Sequence, residues 1–355
     1  MKKSLLALAV LGAFAGAASA QSSVTLKGTL DAGVTHTGTA TGYAWALGGA
    51  GSAFNNFTMT GREDLGAGMY AFFNLNMRFR IQNGTINSAD YGTQTGGASQ
   101  PIFFRQDWVG LGGGFGQVRL GRMLMPLQEM NGNYDIWYGG YTVASTHTGG
   151  ITATIRADSA IYYRSPNMGG LVVDAAIAAG KGQLQAETQN NYGSSAPLPG
   201  NPGGFGQRPV GFSLQYTAGP LKVGLAYDRN YADYKTTGLY AKYNFGAFIL
   251  NGQYEDGDGN NNLVAAFSKE KIKAASISAD IPVGPMVYKV GYLNYHSNVA
   301  NSSAHKFGFG GEYNLSKRTL IYSDIGKSTG NRLTVVKSYA GDDKTQFDIG
   351  LRHSF

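Results

Sequence analysis

Thr345-Gln346-Phe347-Asp348-Ile349-Gly350-Leu351-Arg352-His353-Ser354-Phe355 ends the chain, and the fold is read from this stretch. Phe347, Ile349, Leu351 and Phe355 fall on one side of an extended strand, with His353 the exception. Gln346, Asp348, Gly350, Arg352 and Ser354 fall on the other. A period of two marks a strand lying between an apolar and a polar environment. The pattern recurs upstream. Val24, Leu26, Leu30 and Val34 oppose Thr25, Lys27, Thr29 and Asp31; Leu221, Val223, Leu225 and Tyr227 oppose Lys222, Gly224, Ala226 and Asp228. Met69 to Met77 alternates likewise with Tyr70 to Arg78, and Phe307, Phe309 and Tyr313 with Lys306, Gly308, Gly310 and Glu312.

The composition limits what such strands can build. Only 14% of the 355 residues are charged, against about a quarter in soluble domains. Glycine (53) and Phe plus Tyr (18 and 22) dominate instead, which argues against disorder and against a helix-rich cytosolic enzyme. The absence of cysteine removes disulfides, thiolate metal sites and a cysteine nucleophile together. At the start, Lys2 and Lys3 precede the apolar run Leu5 to Phe14, and Ala18-Ser19-Ala20 supplies a small-x-small cleavage pattern. This predicts a signal peptide over 1–20, cleaved after Ala20, and a mature β-barrel domain over 21–355. Removal of Lys2 and Lys3 takes the formal charge from +7 to +5. No later run approaches the ~18 apolar residues of a membrane helix. A cell-envelope destination then leaves a soluble exported protein or a β-barrel.

The connections favour the barrel. Short turns are expected at 63–66, 113–116, 166–169, 218–220, 244–246, 282–285 and 315–318. Longer polar loops are expected near 35–53, 81–101, 124–157, 181–208, 230–235, 256–270, 297–304 and 328–344. Seven turns and eight loops join sixteen strands. The fold class is therefore all-β, a transmembrane antiparallel 16-stranded barrel, with lipid outside, water inside and aromatic girdles at the interfaces.

Several segments carry a family resemblance. Val24-Thr25-Leu26-Lys27-Gly28-Thr29-Leu30-Asp31-Ala32-Gly33-Val34 resembles the first strand of the Gram-negative general-diffusion porins, in their proteobacterial, trimeric branch. Gly61-Arg62-Glu63-Asp64-Leu65-Gly66-Ala67-Gly68, Trp108-Val109-Gly110-Leu111, Leu120-Gly121-Arg122, Tyr163-Arg164-Ser165-Pro166-Asn167-Met168-Gly169-Gly170 and the terminal Phe355 are similar to further porin segments, in the same order. The resemblance implies a homotrimer in the cell outer membrane, and a third external loop folded into each lumen. It implies passive diffusion of ions and small hydrophilic solutes, contact with outer-membrane lipid and lipopolysaccharide, no nucleic-acid partner and no cofactor. The aromatic C-terminus resembles the signal read by barrel-assembly machinery.

In this family a basic cluster on the barrel wall faces acids on the infolded loop. Carried over by position, Arg105 and Arg156 match wall arginines, while Asn56 stands where an arginine is common. Strand parity adds Arg78, Arg119 and Lys27 to the lumen, with Lys222, Lys242, Lys289 and Lys306. The loop Leu124 to Ala157 contains only Glu129 and Asp135 as acids, and Tyr134, Trp137, Tyr138 and Tyr141 to pack it against the wall. An excess of basic groups at a narrow level concentrates anions, because the low-dielectric wall focuses their field. Anion preference is expected.

Other chemistries lack their residues. The five histidines show no metal spacing, so no metal site is expected. Gly326-Lys327-Ser328 lacks the upstream phosphate-loop glycine, whose position holds Ile321. Asp256 to Asn260 starts like a calcium loop, yet Asn261 and Phe267 occupy its glycine and glutamate positions. No Ser-His-Asp arrangement is indicated, so an enzyme is not expected. The alternatives to a general porin are a substrate-selective porin, with a dedicated array of aromatic or basic residues along the channel, and a non-conducting adhesin or structural barrel.

Overall fold

The computed structural model describes residues 22–39, 42–48, 52–86, 102–103, 105–137, 142–148, 155–179, 207–230, 233–260, 269–298, 302–330 and 345–355. The expected signal peptide, Tyr138, Tyr141, Asn261 and Phe267 lie outside them. Seventeen strand segments run antiparallel to their neighbours: β1 (Ser23–Thr39), β2 (Gly42–Gly48), β3 (Asn56–Gly66), β4 (Met69–Arg78), β5 (Gln106–Gly113), β6 (Gly116–Leu124), β7 (Arg156–Arg164), β8 (Leu171–Ala178) and β9 (Val210–Ala218). β10 (Leu221–Arg229), β11 (Lys235–Asn244), β12 (Ile249–Asn260), β13 (Lys269–Val283), β14 (Met286–Ser297), β15 (Ser302–Asn314), β16 (Thr319–Gly330) and β17 (Thr345–Ser354) continue the ring. β2 and β3 share one place. β2 pairs with Gly33–Thr39 of β1 and β3 with Ser23–Thr29, so seventeen segments make sixteen staves.

β17 closes the ring against β1, from Thr29 opposite Ser354 to His36 opposite Phe347. Beyond this register, Gly28 and Phe355 exchange both backbone hydrogen bonds at 3.1 Å. The Phe355 ring occupies the space that a Cβ at Gly28 would need. Closure matters because a lipid-facing sheet edge would leave unpaired backbone groups in hydrocarbon.

Alternation resolves into outside and inside. Val24, Leu26, Leu225, Phe307, Phe309, Ile349 and Leu351 are exposed on the outer surface, while Asp31, Ala226, Asp228, Lys306, Glu312 and Asp348 on the same strands are buried inside. Six of the seven short turns fall between strands as expected, whereas 63–66 is the end of β3 and the chain reverses at Ala67-Gly68. Several of the expected long loops are partly strand, the one near 297–304 included, where Ser297 pairs with Ser302. β1 and β2 extend through 35–48, and β12 with β13 pairs as far as Asn260 opposite Lys269. β16 likewise runs on to Gly330. Polar residues pair their backbones just as well above the membrane, but there both faces meet water, so alternation no longer marks the strand. β13 has 15 residues, more than the 9–11 a tilted strand needs to cross the hydrocarbon.

The third external connection enters the barrel. After Leu124 the chain forms α1 (Pro126–Tyr134), started by Pro126 in its first turn, where no backbone N–H is needed. Leu127, Met130 and Tyr134 bury against Ala226 and Tyr240 of the wall. The wall accommodates the loop because it is bare there. A Cβ at Gly308 would overlap the Ala144 carbonyl, one at Gly326 the Val143 carbonyl, and one at Gly224 the Met130 side chain.

Gly28→Leu is expected to hinder closure, reducing the heat-modifiable, compact species on semi-native electrophoresis. Val24→Leu, on the open outer surface of the same strand, should leave it unchanged.

Candidate functional site: the channel constriction

The infolded loop divides the lumen. Its inner side is hydrogen-bonded along β11 to β17. Asn131 Nδ2 donates to Glu255 Oε1 (2.5 Å), Thr148 N to Gln253 Oε1 (3.0 Å), Trp137 Nε1 to Asp324 Oδ1 (3.2 Å) and Val143 N to Asp348 Oδ2 (3.0 Å). The wall donates in return. Lys242 Nζ reaches Asn133 O (3.0 Å), Lys289 Nζ reaches Ile136 O (2.7 Å) and Tyr295 OH reaches His147 O (3.2 Å). Five of these bonds satisfy main-chain groups that burial would otherwise orphan, and two join side chains.

The wall from β4 to β7 carries the arginines. Arg78 and Arg105 meet on one ring, with their Cζ atoms 3.4 and 5.6 Å from the Phe54 centroid. Phe54 is held by its neighbours. Asp31 accepts from Ser52 N (2.7 Å) and Ala53 N (2.5 Å), and Asn55 exchanges hydrogen bonds with the Asp31 backbone. Tyr322 OH also donates to Asp31 (2.7 Å), tying this inward segment to β16. A cation over a ring is worth about 0.5–2 kcal/mol and so helps to hold these two long side chains.

Arg119 is placed differently. Its Cζ lies 5.0 Å from both the Trp108 and Tyr162 rings, and Nη1 is 3.5 Å from Glu129 Oε1. Glu129, in the first turn of α1, also accepts from Arg164 Nη2 (3.0 Å) and Tyr162 OH (3.0 Å). Arg164 in turn contacts Asp174 at 2.7 Å. One loop carboxylate thus bridges two wall arginines. Arg156 is buried on β7 opposite Leu124, where the loop rejoins the wall. Lys27 is exposed on β1, opposite Thr58, one lumen-facing step nearer the short turns than Arg78.

Asp135 turns away from the arginines. Its Oδ1 accepts from Trp137 N (2.9 Å), and its charge acts on Lys306 and Lys242 behind the loop. Asn56 donates to Phe54 O (2.9 Å) and so braces the segment that carries the ring. Arg164 and Phe54 were not among the expected site residues. Arg164 has the parity of Tyr162 and was readable as inward-facing. Phe54 lies in the break between β2 and β3, where no periodicity exists.

Two loop groups titrate away from their ordinary values. Burial pushes the Tyr134 hydroxyl up to about 12, keeping it neutral. Burial lowers the His147 imidazole from 6.5, Asp135 opposes the shift and Lys306 adds to it. The docked loop therefore binds fewer protons at His147 than a released loop does. Docking from this source is complete above the ordinary value and weakens as pH falls towards the lowered one. Acidification from about pH 7 to about pH 5 should increase current noise, and His147→Gln should reduce that dependence. Gly308→Leu should displace the loop and change single-channel conductance at every pH. Glu129→Gln, which frees Arg119 and Arg164 from a shared anion, should raise anion selectivity in reversal-potential measurements.

The family model described as Gram-negative porin matches residues 7–333. Outer membrane porin protein 32 of Delftia acidovorans is 32% identical over 382 aligned positions, covering 100% of both chains. The major outer membrane protein P.IB of Neisseria gonorrhoeae is 26% identical, again over 100% of both chains. The solved anion-selective porin from Comamonas acidovorans superposes with a TM-score of 0.75 at 26% identity, covering 94% of this chain and 100% of that one. Ring closure, an infolded third loop and an end-to-end family match agree: this chain belongs to the Gram-negative porins, passive diffusion channels of the outer membrane.

Proposed function

We propose that this porin prefers anions, works as a homotrimer and reaches the outer membrane after cleavage behind Ala20. The observation that carries the anion reading is the asymmetry of the constriction. Arg78, Arg105, Arg119, Arg156 and Arg164 lie on β4, β7 and the strands between, or immediately beside them, whereas Glu129 is the loop acid that pairs with that wall. A water-filled barrel of this strand number is wide, so the infolded loop brings solutes near the arginines. Within a Debye length, about 8 Å at physiological salt, their field is little screened. Anions accumulate there and cations are depleted. Small hydrophilic solutes pass by diffusion, and opposed charges hold oriented water that apolar solutes must displace. The similar Comamonas protein is itself described as anion-selective, which supports this reading.

The outer surface supports the trimer. Outward tyrosines, the residues favoured at a lipid–water boundary, occur at Tyr163, Tyr216, Tyr227, Tyr243, Tyr254, Tyr288, Tyr292 and Tyr313, on β7, β9–β12, β14 and β15. Among the described residues, β1, β3–β6, β16 and β17 carry no outward tyrosine. Their outer faces are largely apolar, with Val24, Leu26, Val109, Leu111, Ile321 and Leu351 exposed in the single chain. That sector suits an apolar contact with neighbouring protomers, while the tyrosine-bearing sector suits lipid and lipopolysaccharide.

Arg105→Ala and Arg156→Ala should each lower the anion-to-cation permeability ratio by about two- to three-fold near 0.1 M salt, with less effect at high salt. Cation preference of the unmodified channel at low salt would refute the anion reading. Ala71→Asp, in the tyrosine-free sector, should abolish detergent-resistant trimers, whereas Ala241→Asp on β11 should spare them. N-terminal sequencing of the mature protein should begin at Gln21.

A further inference from the structure

The lumen between the short turns and the constriction holds an aromatic row that diffusion of simple ions does not require. Strand parity places Tyr70, Phe72, Asn74, Asn76 and Arg78 on the inner face of β4, and Trp108 inward on β5. Tyr70 and Phe72 have centroids 5.4 Å apart, and Phe72 meets Trp108 edge-on at 5.1 Å. Each end of the row carries a cation. Arg62 Cζ lies 3.5 Å from the Tyr70 centroid, and Arg119 Cζ lies 5.0 Å from that of Trp108.

Packing explains only one side of these rings. Phe72 and Tyr70 fill the places that Cβ atoms at Gly110 and Gly112 would take on β5. Their remaining surface, with Trp108, borders a recess of about 230 Å³. Arg62, Gln117 and the hydroxyl-bearing Ser23, Thr25 and Thr60 also line it, with Gly61 and Phe73. Gln117 Nε2 donates to Tyr70 OH (3.0 Å), holding that ring in place. Arg62 is exposed and, among the described residues, makes no ion pair.

We propose that this recess is a transit subsite for single-ring aromatic carboxylates, with the ring against Phe72 and Trp108 and the carboxylate on Arg62. The inference rests on the channel reading and adds a substrate class to it. A guanidinium stacked on Tyr70 keeps its N–H edges available for a planar, two-oxygen anion. The aromatic faces and edges select a flat ring over a puckered one. The recess is smaller than the ~300–1,000 Å³ of sites for drug-sized ligands, which suits a small single-ring solute. A site of this kind raises the local concentration of its solute just inside the narrow level.

The test uses the full-length protein with benzoate, and with cyclohexanecarboxylate and acetate as controls. In planar bilayers benzoate should block chloride current saturably, and equilibrium dialysis of the detergent-solubilised protein should give the same affinity. Benzoate should bind about tenfold tighter than cyclohexanecarboxylate, and Arg62→Gln and Phe72→Leu should each weaken it by about tenfold. Arg62 is exposed, so its variant keeps the barrel, as heat-modifiable mobility will verify. Equal affinity for the flat and puckered acids overturns the proposal, as does benzoate binding unaffected by Arg62→Gln. Loss of binding in Arg105→Ala but not in Arg62→Gln moves the site to the constriction and also overturns it. An anion-preferring channel without saturable benzoate binding refutes this inference alone. Cation preference with intact benzoate binding refutes the anion reading and leaves the subsite standing.

Discussion

A backbone amide in hydrocarbon has no water to bond, so each segment crossing the membrane must find its partners in neighbouring strands. Everything else in this molecule follows from meeting that demand by a closed ring. Closure makes one face of every strand contact lipid and the other enclose water. The charge that a soluble protein spreads over its surface is displaced to the lumen and the loops. The ring closes where Gly28 and Phe355 exchange backbone hydrogen bonds, with the terminal aromatic seated on a glycine. The last residue of the chain is thus a structural fastener.

A closed ring of this size leaves a wide lumen, and selectivity depends on what narrows it. The third loop does so by lying on a wall stripped of side chains at Gly224, Gly308 and Gly326. Small residues let the loop backbone approach, and buried Asp324, Asp348, Gln253 and Glu255 accept its N–H groups. The result is an asymmetric channel. One wall is upholstered by the loop and has its charges consumed in holding it. The other keeps arginines set by Phe54, Trp108 and Tyr162. An aromatic ring helps to orient a guanidinium without itself supplying a counter-charge. Glu129 is the counterexample, tempering Arg119 and Arg164 together.

The outer and inner aromatics separate by role. Outward tyrosines mark lipid boundaries over about half of the ring and, among the described residues, are absent from a largely apolar sector. The inward row of Tyr70, Phe72 and Trp108 lies on the same side as the arginines and leads towards them from the short-turn end. A sieve and a weakly recognising surface are thereby combined in one lumen.

The sequence alone determined the strand count, most of the turns, and the inner and outer faces. All of these rest on local alternation between residues two apart, which lipid on one side and water on the other impose directly. Strand parity also put Arg78, Arg119 and Lys27 inside. Alternation ends where both faces meet water, and so the local pattern does not mark the strands through 35–48 and beyond 256. What faces what across the lumen was decided only in three dimensions. Glu129 meets Arg119 and Arg164, and Asp135 turns from the arginines to the lysine-bearing wall. Phe54 gathers Arg78 and Arg105. These pairings join residues far apart in the chain, brought together by ring closure and by how deeply the loop settles on its glycines. Neither is written in any local pattern.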